Sequence, residues 1–514
     1  MRRPASKTTA EYIILASLLI LSLGLILPNL GNIYLWGDEA HTALLAKTVI
    51  AHGVPLVYDG KNYFSVQAGK DYGKGYIWKW NPWFQYYALA PFFAVFGTST
   101  FVARLPFALF GIATIILTYY FAASFWRNRR AGVLSAIVLL ICVPFLLLTR
   151  QCRYYSADAF FSLLALYGYY GILEQRKRSG LIFVLSAVLL FHTQFVQCAA
   201  LLSTVITHAI LFRRKALKSL LILSGIVAVV SIPWLIWFAS LGHEVSAYGS
   251  LATRVTQFSK TMVVQTFKHI FPFWILALPI VFLLIRGPQK RMQAKRQKNR
   301  FRHEDLPDEG YVKQNLALLL LFAFFTIAGI CLLLPSTFFR YLVPLIPCAC
   351  IIMGLIIESG VKINPAIGVL IIGVLAWWWQ MPDYLYEITH DFNGPTEGIV
   401  QYLNQHGSDS DIVVSNHDDM PLKFYTKMRI VSLTTGEDFT PATHANWVII
   451  RKTVLDTEKK GQAYLEAHTW GNQYKEIVLP YEDTIFENRE DPELHLFRTP
   501  KVVNPVYIYH KVGE

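Results

Sequence analysis

Long runs of apolar residues, separated by short basic segments, fill the chain up to residue 381. A membrane span needs roughly 20 apolar residues to cross about 30 Å of hydrocarbon. Eleven candidate spans lie at 12–30, 100–125, 131–149, 155–173, 180–191, 195–212, 217–240, 271–286, 314–334, 338–358 and 364–381. The pattern predicts a polytopic α-helical membrane protein with about eleven transmembrane helices. Because "HTQ" (192–194) interrupts the apolar residues after the short run at 180–191, we expect two short helices that turn near the outer face.

The pattern changes from Pro382 onward. Apolar stretches shrink to five or six residues, in the segments "DIVVSN", "RIVSLT", "NWVIIRK", "KEIVLP" and "LHLFRT". Helical patterns such as "TEGIVQYLNQHG" and "PLKFYTKM" lie between some of them. Short β-branched strands that alternate with helices are typical of an α/β domain with a partly parallel sheet. We therefore predict a membrane domain over residues 1–381 and a soluble α/β domain over residues 382–514.

Composition and charge agree with a membrane protein. The chain is 54% hydrophobic and 16% charged, whereas soluble domains carry about 25% charged residues. Its net charge of +13 could suggest nucleic-acid binding, but the basic residues form blocks such as "RNRR" and "RRKALK" between apolar runs. Such blocks mark cytoplasmic loops. We expect a multi-pass protein of the cell (inner) membrane, without a nucleic-acid partner, whose basic N-terminus is a retained signal anchor and whose C-terminal domain is extracytoplasmic.

Seven ionisable residues fall on the predicted outer side of the membrane. They come from four separated parts of the chain: Asp38, Glu39, Arg104, Arg150, Arg153, Asp158 and Arg340. Ionisable groups at the membrane are costly and usually face a cavity or a partner. The sequence therefore favours a shared site at this face.

Each of these residues also has a structural alternative. Asp38 and Glu39 open the helix of the first outer loop (31–97), where acids often cap a helix. Arg153 and Asp158 could form an ion pair within one helix. Arg104 could fix a kink beside its proline, and Arg340 could extend to the interface.

The residue types in this set suit transfer of a sugar from a lipid-linked phosphate. Arginine binds phosphate in a forked geometry, and a carboxylate can take a proton from an attacking hydroxyl. The aromatic residues of "NYFSVQAGKDYGKGYIWKWNPWFQYY" could stack on sugars or form an interfacial belt. A flippase for a lipid-linked sugar would use similar residues, but it should show internal repeats or helices broken at mid-membrane. A membrane scaffold would not explain the acidic pair and the arginines.

Five segments, in order, resemble a known superfamily: "WGDEAHTALLAKTVIAHG", "NPWFQYYALAPFFAVFG", "FVARLPFALFG", "RYYSADAFF" and "FFRYLVPLIP". The chain resembles the GT-C glycosyltransferases, in the bacterial or archaeal branch of the protein O-mannosyltransferase and aminoarabinose-transferase superfamily. The resemblance covers about residues 10–240 and 315–360. It implies inverting transfer from a polyprenyl-phosphate sugar to a glycolipid, glycan or protein acceptor.

The resemblance also implies roles for individual residues. Asp38 would be the general base, Glu39 would shape the acceptor or sugar site, and Arg104 and Arg340 would lie near the donor phosphate. The further substrate-binding candidates are Lys79, Arg153, Tyr154, Asp158, His192 and Tyr341.

Two departures and one open question accompany these assignments. Lys79 would replace the lysine of a Glu-Lys-Pro motif that this chain lacks, which puts aminoarabinose as the donor sugar in doubt. The central loop at 241–270 is short, so protein as the acceptor is not supported. Some members of the superfamily have been associated with a metal. A divalent cation is therefore a possible cofactor, although none of the six cysteines has metal-ligand spacing with a histidine.

Overall fold

A computed structural model describes residues 9–67, 69–240, 251–282, 284, 309–334, 336–432, 445–452, 463, 474–485 and 492–512. Most of the described residues before residue 388 are helical. The helices are α1 (Thr9–Ile26), α2 (Gly37–His52), α3 (Phe84–Phe96), α4 (Thr100–Phe125), α5 (Arg129–Leu140), α6 (Val143–Thr149), α7 (Tyr155–Leu173), α8 (Ser179–Thr193), α9 (Phe195–Phe212), α10 (Arg214–Ser240), α11 (Leu251–Gln265), α12 (Glu309–Leu333), α13 (Leu345–Val361), α14 (Pro365–Trp378) and α15 (Met381–Glu387).

Most helices follow the predicted apolar runs and confirm a multi-pass membrane protein. Helix α11 is an exception, because it lies within the segment predicted as the central loop (241–270). Five of the described helices are long and apolar enough to cross a membrane, or up to eight if each bent pair forms one span. The bent pairs are α5 with α6 (66°), residues 255–270 with 273–282 (77°), and α14 with α15 (59°). The expected break near "HTQ" is confirmed, because α8 ends at Thr193 and α9 begins at Phe195. Its position near the outer face stays a prediction. The count of eleven spans stays a prediction.

The C-terminal residues form a partly parallel sheet, as predicted. Its strands are β1 (Ile412–Ser415), β2 (Arg429–Ser432), β3 (Trp447–Ile450), β4 (Tyr474–Glu482) and β5 (Pro505–Lys511), in the order β2-β1-β3-β5-β4. Strand β1 is parallel to both β2 and β3, whereas β5 is antiparallel to β3 and β4. Helices α16 (Pro395–His406) and α17 (Asp419–Tyr425) match the two predicted helical patterns.

One predicted strand is wrong. The segment "LHLFRT" (494–499) lies outside the sheet and packs on the helical part, where His495 pairs with Glu387 and Arg498 Nη2 lies 3.2 Å from Asp383 Oδ1. The fifth strand is β5, which the sequence pattern did not indicate. Its inward-facing Val506 and Ile508 are fully buried, and a proline is tolerated as the first residue of a strand.

The sheet domain is fixed onto the first loop by hydrogen bonds that cross between them. Tyr34 N–H donates to Glu397 Oε1 (2.6 Å), and Leu35 N–H donates to the Tyr425 hydroxyl (2.9 Å). Lys423 Nζ donates to the carbonyl oxygen of Tyr63 at 2.6 Å. Because Tyr34 and Leu35 directly precede α2, the domain helps to hold the start of that helix in place.

Candidate active site

Helix α2 carries a partly exposed carboxylate, that of Asp38, in its first turn. The helix ends at Gly53, whose φ of +76° glycine adopts without strain. Most of its apolar positions, including Ala43 and Leu44, are fully or almost fully buried against the neighbouring elements, whereas Ile50 is 47% exposed. The side chain of Asp38 is nevertheless 33% exposed, so it is held rigidly yet remains accessible.

Two arginines from distant parts of the chain converge on Asp38. Arg340 Nη1 lies 3.1 Å from Asp38 Oδ2, and Arg153 Nη2 lies 3.5 Å from the same oxygen. Their side chains are only 10% and 8% exposed. Two guanidinium groups on one carboxylate leave a net positive charge, so this cluster can attract an anion. The predicted grouping of these three residues is found in the structure.

The two arginines are positioned by different contacts. Arg153 Nη1 donates to Thr42 Oγ1 (3.0 Å) and to the Asp38 carbonyl oxygen (3.3 Å), and its Nε donates to the Tyr155 hydroxyl (3.4 Å). Arg340 lies over the ring of Phe338, with its Cζ 4.2 Å from the ring centroid. A guanidinium held at its edges or against a ring loses less conformational entropy when it binds an anion.

Glu39, the neighbour of Asp38, forms a separate buried pair with Arg104. Arg104 Nε and Nη2 each lie 2.8 Å from the Glu39 carboxylate, in a forked geometry. The Cys152 N–H donates to Glu39 Oε1 at 2.6 Å. Trp36 N–H also donates to Glu39 Oε2 (3.4 Å), so the capping role considered for this acid is partly realised. The pair ties α2 to α4 and to the segment that carries Arg153.

The remaining donors of Arg104 are occupied by backbone carbonyl groups. Its Nη1 donates to Leu30 O (2.8 Å) and Ile33 O (2.7 Å), and its Nη2 donates to Tyr34 O (3.3 Å). These contacts favour a positioning role for Arg104 over the predicted contact with a donor phosphate. A forked pair with a carboxylate requires tertiary geometry, which the sequence alone does not supply.

Arg150 and Asp158 lie outside the Asp38 cluster. Arg150 Nη1 donates to the carbonyl oxygens of Ile26 (2.6 Å) and Pro28 (2.8 Å), so it satisfies carbonyl groups at the C-terminal end of α1. Asp158 is buried, and no ion pair with Arg153 is found among the residues that the structure describes. The alternative of a structural Arg153–Asp158 pair is therefore not supported.

Two predicted tyrosines lie beside the arginines. The Tyr154 ring centroid is 5.5 Å from Arg153 Cζ, and the Tyr341 ring centroid is 5.6 Å from Arg340 Cζ. The Tyr154 hydroxyl also accepts a hydrogen bond from Gln194 Nε2 (3.4 Å). Gln194 is not among the residues that the sequence indicated for the site. Both rings can line a pocket for a sugar or a lipid phosphate at this cluster.

The last two candidates, His192 and Lys79, have neighbours of their own in the structure. The ring of His192 lies against Trp234, with the centroids 5.6 Å apart. The Lys79 backbone N–H donates to Asp71 O (3.0 Å). Nearby, Asn81 of the divergent "WNP" segment accepts hydrogen bonds from Trp78 Nε1 (2.6 Å) and the Tyr86 hydroxyl (2.8 Å), so it serves the loop's own structure. The roles of Lys79 and His192 stay predictions.

His41 is a buried neighbour that the sequence analysis missed. It lies one turn after Asp38 on α2, a spacing that puts both residues on one side of the helix. Its ring centroid is 4.5 Å from that of Trp78. Burial, assisted by the positive charge of Arg153, lowers the pKa of His41 to about 3. His41 is therefore neutral at physiological pH.

Within the part of the chain that the structure describes, no group of three His, Cys, Asp or Glu side chains could hold a metal ion. The divalent cation that the resemblance allows for stays a prediction.

Comparison with known proteins gives one family match and several similar structures. Residues 81–237 match the family model described as dolichyl-phosphate-mannose-protein mannosyltransferase. The fold is similar to that of ArnT from Cupriavidus metallidurans bound to undecaprenyl phosphate, over 98% of both chains, with a TM-score of 0.52 and 14% identity. ArnT in its apo state matches over 97% of both chains, with a TM-score of 0.53 and 13% identity.

A third similar structure is AglB, the oligosaccharyltransferase of Archaeoglobus fulgidus, in complex with an inhibitory peptide and a dolichol-phosphate. The match covers 91% of this chain and 69% of AglB, with a TM-score of 0.50 and 12% identity. No curated protein sequence matches the chain. At such low identities the solved structures establish the fold, which this chain shares with ArnT and AglB over nearly its whole length.

Proposed function

We propose that this chain is a membrane glycosyltransferase of the GT-C superfamily that moves a sugar from a polyprenyl-phosphate donor to an extracytoplasmic acceptor with inversion. The family match over residues 81–237 and the fold shared with ArnT and AglB support this class of enzyme. The observation that carries the proposal is the position of Asp38. Its carboxylate is partly exposed, and it is flanked by two almost fully buried arginines, Arg153 and Arg340. This arrangement combines a group that can accept a proton with two groups that can bind a phosphate.

Arg153 and Arg340 bind the donor phosphate in this proposal. Charge-assisted hydrogen bonds from guanidinium groups to phosphate are short and directional. The phosphate draws both guanidinium groups toward itself, which frees the Asp38 carboxylate to act as a base. As the bond between the anomeric carbon and the phosphate oxygen breaks, the same groups stabilise the negative charge of the departing polyprenyl phosphate.

Asp38 takes the proton of the acceptor hydroxyl. The acceptor oxygen attacks the anomeric carbon from the face opposite the phosphate, and its proton passes to the Asp38 carboxylate. One carbon–oxygen bond forms as the other breaks, which inverts the anomeric configuration. Tyr154 and Tyr341, beside the two arginines, would contact the sugar or the phosphate. Glu39 and Arg104 act through the position of α2.

Similar proteins support a polyprenyl-phosphate donor. ArnT was solved with undecaprenyl phosphate bound, and AglB with a dolichol-phosphate. The acceptor of this chain could be a glycolipid, a glycan or a protein. Transport of a lipid-linked sugar is the second candidate, because three of the described helix pairs are bent at a short break and broken helices are common in transporters. The gathering of charge at a single cluster favours transfer over transport.

The test uses purified protein and a panel of radiolabelled polyprenyl-phosphate sugars. We expect one donor to release polyprenyl phosphate, and Arg340→Ala to abolish that release. The control is Arg127→Ala, which changes an arginine in an exposed pair with Glu174. Intact donor that crosses the bilayer of proteoliposomes, with no donor cleaved, would contradict transfer and support the flippase.

A further inference from the structure

A cavity of about 450 Å³ lies where the three bent helix pairs meet the segment after β4. The side chains that matter for its chemistry are Lys268, His269, Trp378, Trp379, Glu493 and Phe497. Its size falls within the roughly 300–1,000 Å³ of small-molecule sites. None of these residues belongs to the Asp38 cluster, and the proposed function assigns them no role.

The cavity holds one cation and one carboxylate side by side. Lys268 Nζ lies 2.5 Å from Glu493 Oε1, and His269 Nε2 lies 2.8 Å from the same oxygen. The hydrogen bond from Lys268 lowers the pKa of the Glu493 carboxyl below its usual value. The hydrogen bond from His269 also lowers this pKa, whereas burial acts in the opposite direction. The Lys268 and Glu493 side chains are 50% and 42% exposed. Both charges can therefore reach a further ligand.

Two tryptophans form an aromatic wall at the level where the helices break. Trp378 Nε1 donates to Lys268 O (2.8 Å), and Trp379 Nε1 donates to His269 O (2.9 Å), so both indoles are fixed in orientation. The adjacent Trp377 is 77% exposed on the apolar exterior of α14. Tryptophan is enriched at the level of lipid headgroups, so these residues favour a cavity that opens at that level.

We propose that this cavity binds the headgroup of a zwitterionic aminophospholipid, which carries a primary ammonium and a phosphodiester. The ammonium donates to Glu493 and lies near the aromatic rings, which attract cations. The phosphodiester accepts from Lys268. A quaternary ammonium has no N–H to donate to Glu493, and an anionic headgroup without an amine offers that carboxylate no donor either. The lining therefore selects the primary amine and the phosphate together.

The site adjoins the segment that carries Arg340. The His269 ring centroid is 5.1 Å from that of Phe339, the residue before Arg340. A bound headgroup would hold the segment around Glu493 against the bent helix that carries His269. This binding is independent of the proposed transfer reaction, so its failure would leave that reaction untouched.

The test measures lipid retention by native mass spectrometry of delipidated protein in detergent. Phosphatidylethanolamine, phosphatidylcholine and phosphatidylglycerol are added separately. A hydrogen bond to a charged group contributes about 1.5–3 kcal/mol, so we expect phosphatidylethanolamine to bind roughly 10–100 times more tightly than the other two. Glu493→Gln removes this preference, and Lys268→Gln weakens retention of phosphatidylethanolamine.

The control variant is Lys313→Ala, whose lysine pairs with Glu309 on an exposed helix surface. Thermal melting confirms that each variant is folded. Equal retention of the three lipids would overturn the proposal, as would undiminished preference in Glu493→Gln. A preference for phosphatidylglycerol would also overturn it, because it would reveal a site for anions only.

Discussion

Removing the charge of Glu39 should destabilise the protein strongly, because its partner Arg104 is almost fully buried. Their side chains are 0% and 4% exposed, and the two groups meet in a forked geometry at 2.8 Å. Breaking a buried pair by removing one partner costs about 3–5 kcal/mol, since the other charge stays buried without compensation. Arg104 keeps its three carbonyl acceptors, so we expect the lower end, about 3 kcal/mol for Glu39→Gln.

A double-mutant cycle separates the pair from its surroundings. Glu39→Gln, Arg104→Met and the double variant are compared with wild type by thermal melting in one detergent. We expect each single variant to lower the melting temperature clearly, and the double variant to lose less than the sum of both. Neighbouring charges typically couple by about 0.5–3 kcal/mol. The control pair is Lys313 with Glu309, which is exposed and should show no such coupling.

Two results would refute this reasoning. If Glu39→Gln had the same melting temperature as wild type, the buried pair would contribute nothing to the stability of the fold. If the losses of the single variants added fully in the double variant, Glu39 and Arg104 would act independently, against the forked contact. Either result would return Arg104 to the group of candidates for the donor phosphate.

Three further predictions concern the site and its support. Arg153→Lys keeps the charge but loses the fork, so polyprenyl phosphate should bind roughly tenfold more weakly in calorimetry; unchanged affinity would remove Arg153 from the phosphate site. His41 has a pKa lowered to about 3 from 6.5, so its burial costs stability as the pH falls below 6.5, by about 2 kcal/mol at pH 5. His41→Phe should therefore lose less melting temperature than wild type between pH 7.5 and pH 5, and an equal loss would contradict the burial. Tyr425→Phe removes the acceptor of the Leu35 N–H, which should cost about 1–3 kcal/mol and speed proteolytic release of the sheet domain; unaltered proteolysis would show that this contact does not hold the domain.

The helical part of the fold could be predicted because its signal is composition. Apolar runs between basic blocks located most of the helices without knowledge of any contact, and even the break between α8 and α9 followed from "HTQ". Strand β5 was missed because "PVYIYHK" begins with proline and mixes apolar with polar residues. The segment "LHLFRT" has a strand-like pattern, yet its charged residues pair with Glu387 and Asp383 in place of joining the sheet.

The site was predictable as a group of residues but not as a set of pairs. Asp38 and Arg340 were placed on one side by topology, and they do meet. The sequence could not show that the Asp38 side chain is partly exposed while that of Glu39 is buried. Adjacent helix positions point in directions about 100° apart, and which of the two faces the protein interior depends on the tertiary packing. Nor could it show that Arg150 binds carbonyl groups at the end of α1.

The most direct test of the account is a comparison of donor binding and single-turnover transfer for Asp38→Asn. Asparagine keeps the size of the side chain but cannot act as a base, so the transfer rate should fall by about 10²–10⁴. Binding of polyprenyl phosphate should persist, because Arg153 and Arg340 remain in place. A folded Asp38→Asn protein that transfers sugar at the wild-type rate would contradict the central claim that Asp38 is the catalytic base.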